Sequence, residues 1–444
     1  MNRNLPHDIM FEIFSLCILN QTPVELPLGR STAPPLNLTH VCSAWRQAAL
    51  EMPHLWNNVA IRWLNRDTAV EGSGARSRNM LELFLSRTGS SLISLKIEGE
   101  GTHPSIVSFC ESIAKVILSY IGRFRHLDLH PAELFTRLLW LPSGNIDALE
   151  SVRLKYYQAS YHKSIPAGDS IYNATLFHLA PSLRSVSISS SRVSIGPIHL
   201  DACHFPWNHL THLDLSEIPV TFRGGHAALR QCVNMISCSL GIVSDGHCFS
   251  ETVLSDTTLG SLRSLSIHVF PNGRIPELYG EFLQPFILPS LKYLGVYSIH
   301  SNRTKFSIAA LSSLVKRSSC QLEHFEARHL GPLPVIDLLG RAPGTLTKLS
   351  LDCRVDYMFK LLFAAIAFGV LGQKIHTLEC SWLDAEHYIN ILEMQPESRR
   401  LQTTLRSMVI RYGDFDRLDG ESLANRYSVY DIDVTFEQHQ GSLQ

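Results

Sequence analysis

Cys203-His204 and His247-Cys248 bracket Cys232 and Cys238, and thiolates and imidazoles are the ligands that zinc prefers. Zinc sites usually separate paired ligands by about a turn, as in C-x-x-C, and adjacent Cys-His pairs do not have that spacing. Cys238 also falls on a position where a buried leucine is expected, so it reads as a small hydrophobe. Asp414 and Asp416 are paired carboxylates of the type used in acid–base work, but they lie in an acidic tail and read as a solvated face. No H-E-x-x-H, G-x-S-x-G, Walker A or G-x-G-x-x-G pattern occurs. The expectation is a non-catalytic protein with no metal and no cofactor.

The chain has 444 residues, too many for one ordinary core, so several domains or an elongated repeat array are expected. Hydrophobic residues make up 45% and charged residues 18%, the composition of a folded chain. A formal net charge of −1 lacks the basic excess of a nucleic-acid binder or an anionic-membrane binder. The opening Met1 to Pro6 has no secretory pattern, and the longest apolar run, Leu361 to Leu371, suits a core helix and not a membrane span. Ten cysteines without a C-x-x-C pair suit a reducing compartment, so an intracellular location, cytoplasmic or nuclear, is expected.

Leu5, Ile9, Ile13 and Leu16 have helical spacing, with Pro6 in the first turn. The proline-rich stretch from Gln21 to Pro35 reads as a loop. A second helix is expected from Thr39, as N-cap, through Val41, Cys42, Trp45, Ala48, Ala49 and Met52, ended by Pro53 and followed by Leu55-Trp56. So small a unit is either a cap on the rest of the chain or a module that leans on a partner.

The stretches Leu5-Pro6-His7-Asp8-Ile9-Met10-Phe11-Glu12-Ile13-Phe14, Pro35 to Arg46 and Pro53-His54-Leu55-Trp56 resemble the F-box family, in the branch abundant in mushroom-forming fungi. The segment Leu81 to Gly89 resembles the junction that comes after the F-box in that branch. The resemblance implies binding to the Skp-family adaptor of a cullin-RING ubiquitin ligase through apolar helix residues. The residues it carries over are Leu5, Pro6, Ile9, Ile13, Val41, Cys42, Trp45 and Trp56. Some of these must form the unit's own core instead, with Trp45 and Ile13 the first candidates.

From Leu92 onward the pattern L-x-x-L-x-L recurs. Copies begin at Leu92, Phe124, Leu149, Leu183, Leu210, Val233, Leu262, Leu291, Leu322, Leu346, Ile375 and Leu405. Their spacing averages about 28 residues, the long end of the leucine-rich-repeat range. Apolar helical spacing fills the gaps at 105–121, 275–286, 308–315, 357–370 and 385–392. The expected fold is α/β: a helical F-box (1–60), a linker with a junction helix (61–91), a leucine-rich-repeat solenoid (92–412) and a C-terminal cap or tail (413–444). The polar stretch 64–79 is expected as an exposed connector, and 428–436 as a strand sealing the open end. Twelve stacked strands form a curved parallel sheet about 50 Å along its arc, with helices or loops on the convex side.

Residues between the leucines point to the concave side. They include Lys96, Arg153, Lys155, Arg328, Lys348 and Arg411 against Glu98, Asp128, Asp214, Glu326, Asp352 and Glu379, which gives no net sign. Tyr293 and Tyr297 are contact candidates there, because aromatic residues are enriched at interface hot spots. His126, His212 and His324 share one column, either as partner contacts sensitive to pH or as ordinary surface positions. Together these features point to a substrate-recruiting ligase subunit holding an unidentified target protein, with no nucleic acid or membrane as partner. The alternatives are a ligase-independent interaction scaffold and a ligand-sensing F-box receptor.

Overall fold

The computed structural model describes residues 6–18, 23–26, 34–63, 73–99, 104–130, 132, 146–156, 178–190, 198, 200, 203–243, 256–270, 276–298, 306–341, 344–352, 357–394, 404–412 and 420–438. The chain divides into two compact units, residues 1–196 with 201–210 and residues 197–200 with 211–444. This division falls inside the stretch expected as one solenoid, and the first sixty residues belong to the first unit.

In the first unit, α1 (His7–Ile18) buries Met10 and Phe14, four residues apart on one face, and Asp8 sits favourably in its first turn. The second helix does not begin at Thr39. A single turn, α2 (Leu36–Thr39), ends there, and α3 (Ser43–Leu50) starts after an extended Cys42. The Thr39 hydroxyl donates to the Leu36 carbonyl, and Arg46 holds the Thr39 carbonyl at 2.9 Å, which fixes the bend between the two pieces. The expected loop at 21–35 contains a strand, β1 (Val24–Leu26), paired in parallel with β2 (Asn58–Trp63). Val24 and Leu26 face the core around an exposed Glu25, a pattern too short to stand out among prolines.

Residues 73–79 of the expected connector are helical, the start of α4 (Ser73–Arg87). The first unit continues through β3 (Ile93–Gly99), α5 (Pro104–Ser119), β4 (Phe124–His130), β5 (Ser151–Tyr156) and β6 (Ser185–Ser190). Its strands lie side by side in sequence order, β1 to β6, and the pairs described are all parallel.

The second unit contains β7 (His212–Thr221), α6 (Phe222–Leu229), β8 (Ser237–Val243), β9 (Thr257–Thr258), β10 (Ser264–Val269), β11 (Phe286–Ile287) and β12 (Tyr293–Ser298). It continues through α7 (Ala310–Ser318), β13 (His324–Arg328), α8 (Pro332–Arg341), β14 (Lys348–Asp352) and α9 (Tyr357–Ala367). It ends with β15 (Thr377–Ser381), α10 (Trp382–Glu393), β16 (Ser407–Tyr412), α11 (Gly420–Ser428) and β17 (Asp433–Gln438). Apart from the short β9–β11 pair, these strands also stack in parallel and in sequence order. Parallel neighbours need a crossover, and α7 to α10 supply it, each packed on the next.

A strand stands at each of the twelve repeat positions. Alternate residues are buried, as in β3, β6 and β10, so period-two alternation positions the array. Two copies are out of phase. The neighbour register aligns Cys238 with Leu265, which puts buried Met235 and not exposed Val233 opposite Leu262. At the first copy, a register shift lets buried Ile93 replace exposed Leu92.

The apolar spacing marks neither α8 nor α6, whose start Thr221 caps by accepting from Gly224 N–H. Residues 276–283 form a 3-10 helix leading into β11. Ser381 ends β15 and caps α10. Its hydroxyl accepts from Asp384 N–H at 3.3 Å and donates to the Asp384 carboxylate at 2.7 Å. The terminal strand lies at 433–438, after α11, a few residues beyond the expected one.

Candidate functional site

Strands β13, β14 and β15 break the simple alternation, because the central residue on their outward face is buried as well. Register aligns these central positions as Gly295, Glu326, Ser350 and Glu379. Two carboxylates are thus buried on the face that elsewhere meets solvent, and each must be paired.

Glu326 accepts from the Tyr293 hydroxyl at 2.8 Å, from Arg328 Nε at 2.9 Å and from Arg411 Nη1 at 3.4 Å. Glu379 accepts from Ser350 Oγ at 2.5 Å and Arg411 Nη2 at 2.7 Å, and pairs with Lys348 Nζ. Burial alone would raise the Glu326 pKa, but Arg328, the Tyr293 hydroxyl and Arg411 outweigh it and hold the group below its usual value. Glu379 is likewise lowered, with Lys348, Ser350 and Arg411 overcoming its burial.

The tyrosines extend the network. Tyr293 gives its proton to Glu326, so it accepts from Tyr297 at 2.5 Å. Burial, reinforced by Glu326, raises both phenols, that of Tyr297 to about 12. His268 stacks on the Tyr297 ring, with centroids 4.3 Å apart and planes 17° from parallel, and Arg328 lies 5.5 Å from the same ring. Burial lowers the His268 pKa to about 4. Gly295 makes this possible, because a Cβ there would come within 2.7 Å of Tyr297 Cε2 and 3.0 Å of Tyr293 Oη.

His324, Ser350 and Glu379 have the residue types of an acyl-transfer triad but not its wiring. Ser350 gives its single proton to Glu379 and therefore accepts from His324 Nε2, 2.9 Å away. A triad histidine instead takes the serine proton and is oriented by the acid. Ser350 is also fully buried. The arrangement is a charge-pairing network on a sheet face.

Of the expected contact residues, Tyr293, Tyr297 and His324 come together here. His126 lies half-buried in the first unit, and exposed His212 stands on β7, four strands from His324. In the sequence alone, Glu326, Glu379, Arg328, Lys348 and Arg411 stand out only as members of a balanced charge count. The signal available was the column Gly295, Glu326, Ser350 and Glu379, where small and acidic residues alternate at one repeat position.

At the N-terminal helices, Ile9 and Val41 expose 44% and 59% of their surface, and Pro6 and Cys42 are exposed. Phe11 and Leu16 of α1 are exposed as well. Ile13 and Trp45 are half-buried, with Trp45 edge-on to Phe14 at 5.0 Å. Trp56 is not on this surface. It is fully buried, donates from Nε1 to the Ala49 carbonyl at 2.9 Å, packs edge-on to Phe84 and lies under Arg87. Its core role replaces the contact role expected for it. Leu5 lies outside the described residues.

Cys203 is buried beside exposed His204, and His247-Cys248 lies outside the described residues. Burial raises the Cys232 thiol to about 12 and pushes the Cys238 thiol well above its ordinary value. Among the described residues, no helix is long and apolar enough to cross a membrane. No protein-family model and no curated protein matches the chain.

Proposed function

We propose that the protein is a non-catalytic, substrate-recruiting subunit of a cullin-RING ubiquitin ligase. Its N-terminal helices bind the Skp-family adaptor, and its leucine-rich-repeat strands bind the target. The observation carrying this reading is a set of exposed apolar side chains, Pro6 ahead of α1, Ile9 on it, and Val41 and Cys42 between α2 and α3, outside a core that Phe14 and Trp56 help to close. Apolar side chains left outside a complete core suit insertion into a groove on a helical partner. The contribution to ubiquitin transfer is proximity, since the adaptor contact and the target contact sit on one chain. The reading implies work in the cytoplasm or nucleus.

The test is co-purification of the full chain with a Skp-family adaptor. Ile9→Asp with Val41→Asp should abolish capture while leaving the unfolding midpoint unchanged. A stable wild-type chain that captures neither adaptor nor cullin would leave a ligase-independent scaffold as the function.

A further inference from the structure

The formal charges around Glu326 and Glu379 balance, yet solvent does not sample them equally. The two glutamate side chains expose only 8% and 6% of their surface, whereas Arg328, Lys348 and Arg411 expose 29%, 38% and 22%. The anions form a buried lower layer and the cations an accessible upper one. Asp352, half-buried beside Arg328, is the remaining acid on the outward face of β12 to β16 among the described residues. A partner approaching β13 to β15 therefore meets Arg328 and Lys348 against Asp352, and beyond them Arg411 with the exposed Glu437 of β17 in register beside it.

The cations are also held in place. Arg328 is fixed by Glu326, Lys348 by Glu379, and Arg411 by both. Side chains already ordered lose little further freedom when a ligand binds, so pairing costs less here than on a free surface. From β13 to β16 is three strand spacings, about 14 Å, the reach of about four extended residues. A nucleic-acid strand tracked by its phosphates needs a longer basic stripe than this cluster offers. Tyr293 and Tyr297 border the cations on β12 and add an aromatic shoulder suited to a protein contact.

We propose that this face docks a short acidic segment of a partner protein, whose Asp or Glu carboxylates pair with Arg328, Lys348 and Arg411. The proposal rests on the reading of the repeat strands as the recruiting surface and names the chemistry of what they recruit.

The experiment uses the purified full-length chain and short fluorescent peptides of equal length, one Glu-rich, one Lys-rich and one of Ser and Gly only. The Glu-rich peptide alone should bind, more weakly as salt rises. Its affinity should fall about tenfold or more in Arg328→Gln/Lys348→Gln, as expected for loss of close charge pairs. Lys348→Arg should retain binding, and Lys316→Gln/Lys374→Gln, with exposed lysines away from this face, should leave it unchanged. Should Arg328→Gln disturb folding, Lys348→Gln alone gives the reading in a chain whose unfolding midpoint is checked in parallel. The proposal is overturned if no peptide binds, if the control variant weakens binding as much, or if an unlabelled single-stranded oligonucleotide displaces the Glu-rich peptide better than its own unlabelled form. Adaptor capture should be the same in wild type and all these variants. Peptide binding without adaptor capture would sink the ligase reading and spare this one; the reverse result would sink this one alone.

Discussion

Arg411 on β16 reaches back across β15 and β14 to Glu326 on β13, with Nη1 3.4 Å from Oε1, while its Nη2 holds Glu379 at 2.7 Å. One guanidinium thus serves two buried carboxylates that lie on different strands. Arg411→Ala leaves both short of a cation in a poorly solvated place, and a loss of about 3 kcal/mol is expected. Denaturant titration measures it. Adding Glu379→Gln should recover part of the loss, because the neutral amide no longer needs the cation; strictly additive effects would mean that the pair is not coupled.

Acid should weaken the second unit in two stages. The His268 pKa is lowered to about 4 by burial, against an ordinary value of 6.5. The unfolded imidazole therefore takes up a proton that the folded one refuses, so stability is full above pH 6.5 and falls toward pH 4. Asp214, Glu326, Arg328 and the Tyr297 ring surround this group. Glu326 and Glu379, whose pKa values are depressed, add a second loss as pH drops below the ordinary carboxylate range. His268→Asn should flatten the first stage and leave the second, measured as unfolding midpoint against pH.

Gly295→Ala should cost about 1–3 kcal/mol through overpacking, because the new methyl meets the Tyr297 ring and both hydroxyls. Tyrosine fluorescence should change with the midpoint as the rings are pushed off the column. An unchanged spectrum would show that the tyrosines do not need the open space.

The phase of the repeat at β8 can be checked by two truncations. Met235→Ala removes a buried side chain and should cost about 2–5 kcal/mol. Val233→Ala, at an exposed position, should stay within about 0.5 kcal/mol. Equal costs would refute the assignment.

These two residues also show where sequence patterning is informative and where it stops. Twelve strands were legible because an inward leucine or its equivalent recurs at fixed offsets, and burial of that column drives the stacking. Val233 and Leu92 satisfy the inward spacing without being inward, because each is an apolar residue beside the true one. The choice between them is made by register with a neighbouring strand. Trp56 reads the same in sequence whether it anchors a core or a partner, and only Ala49, Phe84 and Arg87 around it decide. The charge network was less accessible still. Arg411 and Glu326 stand 85 positions apart, and their meeting depends on four strands being in register.

The pairing of β1 with β2, and of β2 with β3, bears on how the chain can be divided. A fragment starting at residue 92 would strip β2 from β3 and bare a row of unpaired N–H and C=O groups beside buried apolar side chains, a template for aggregation. A fragment ending at residue 60 would cut β2 and remove Phe84 and Arg87 from Trp56. Neither piece is a natural unit for expression, and cleavage between them should release insoluble products where an ordinary domain linker would release two folded ones.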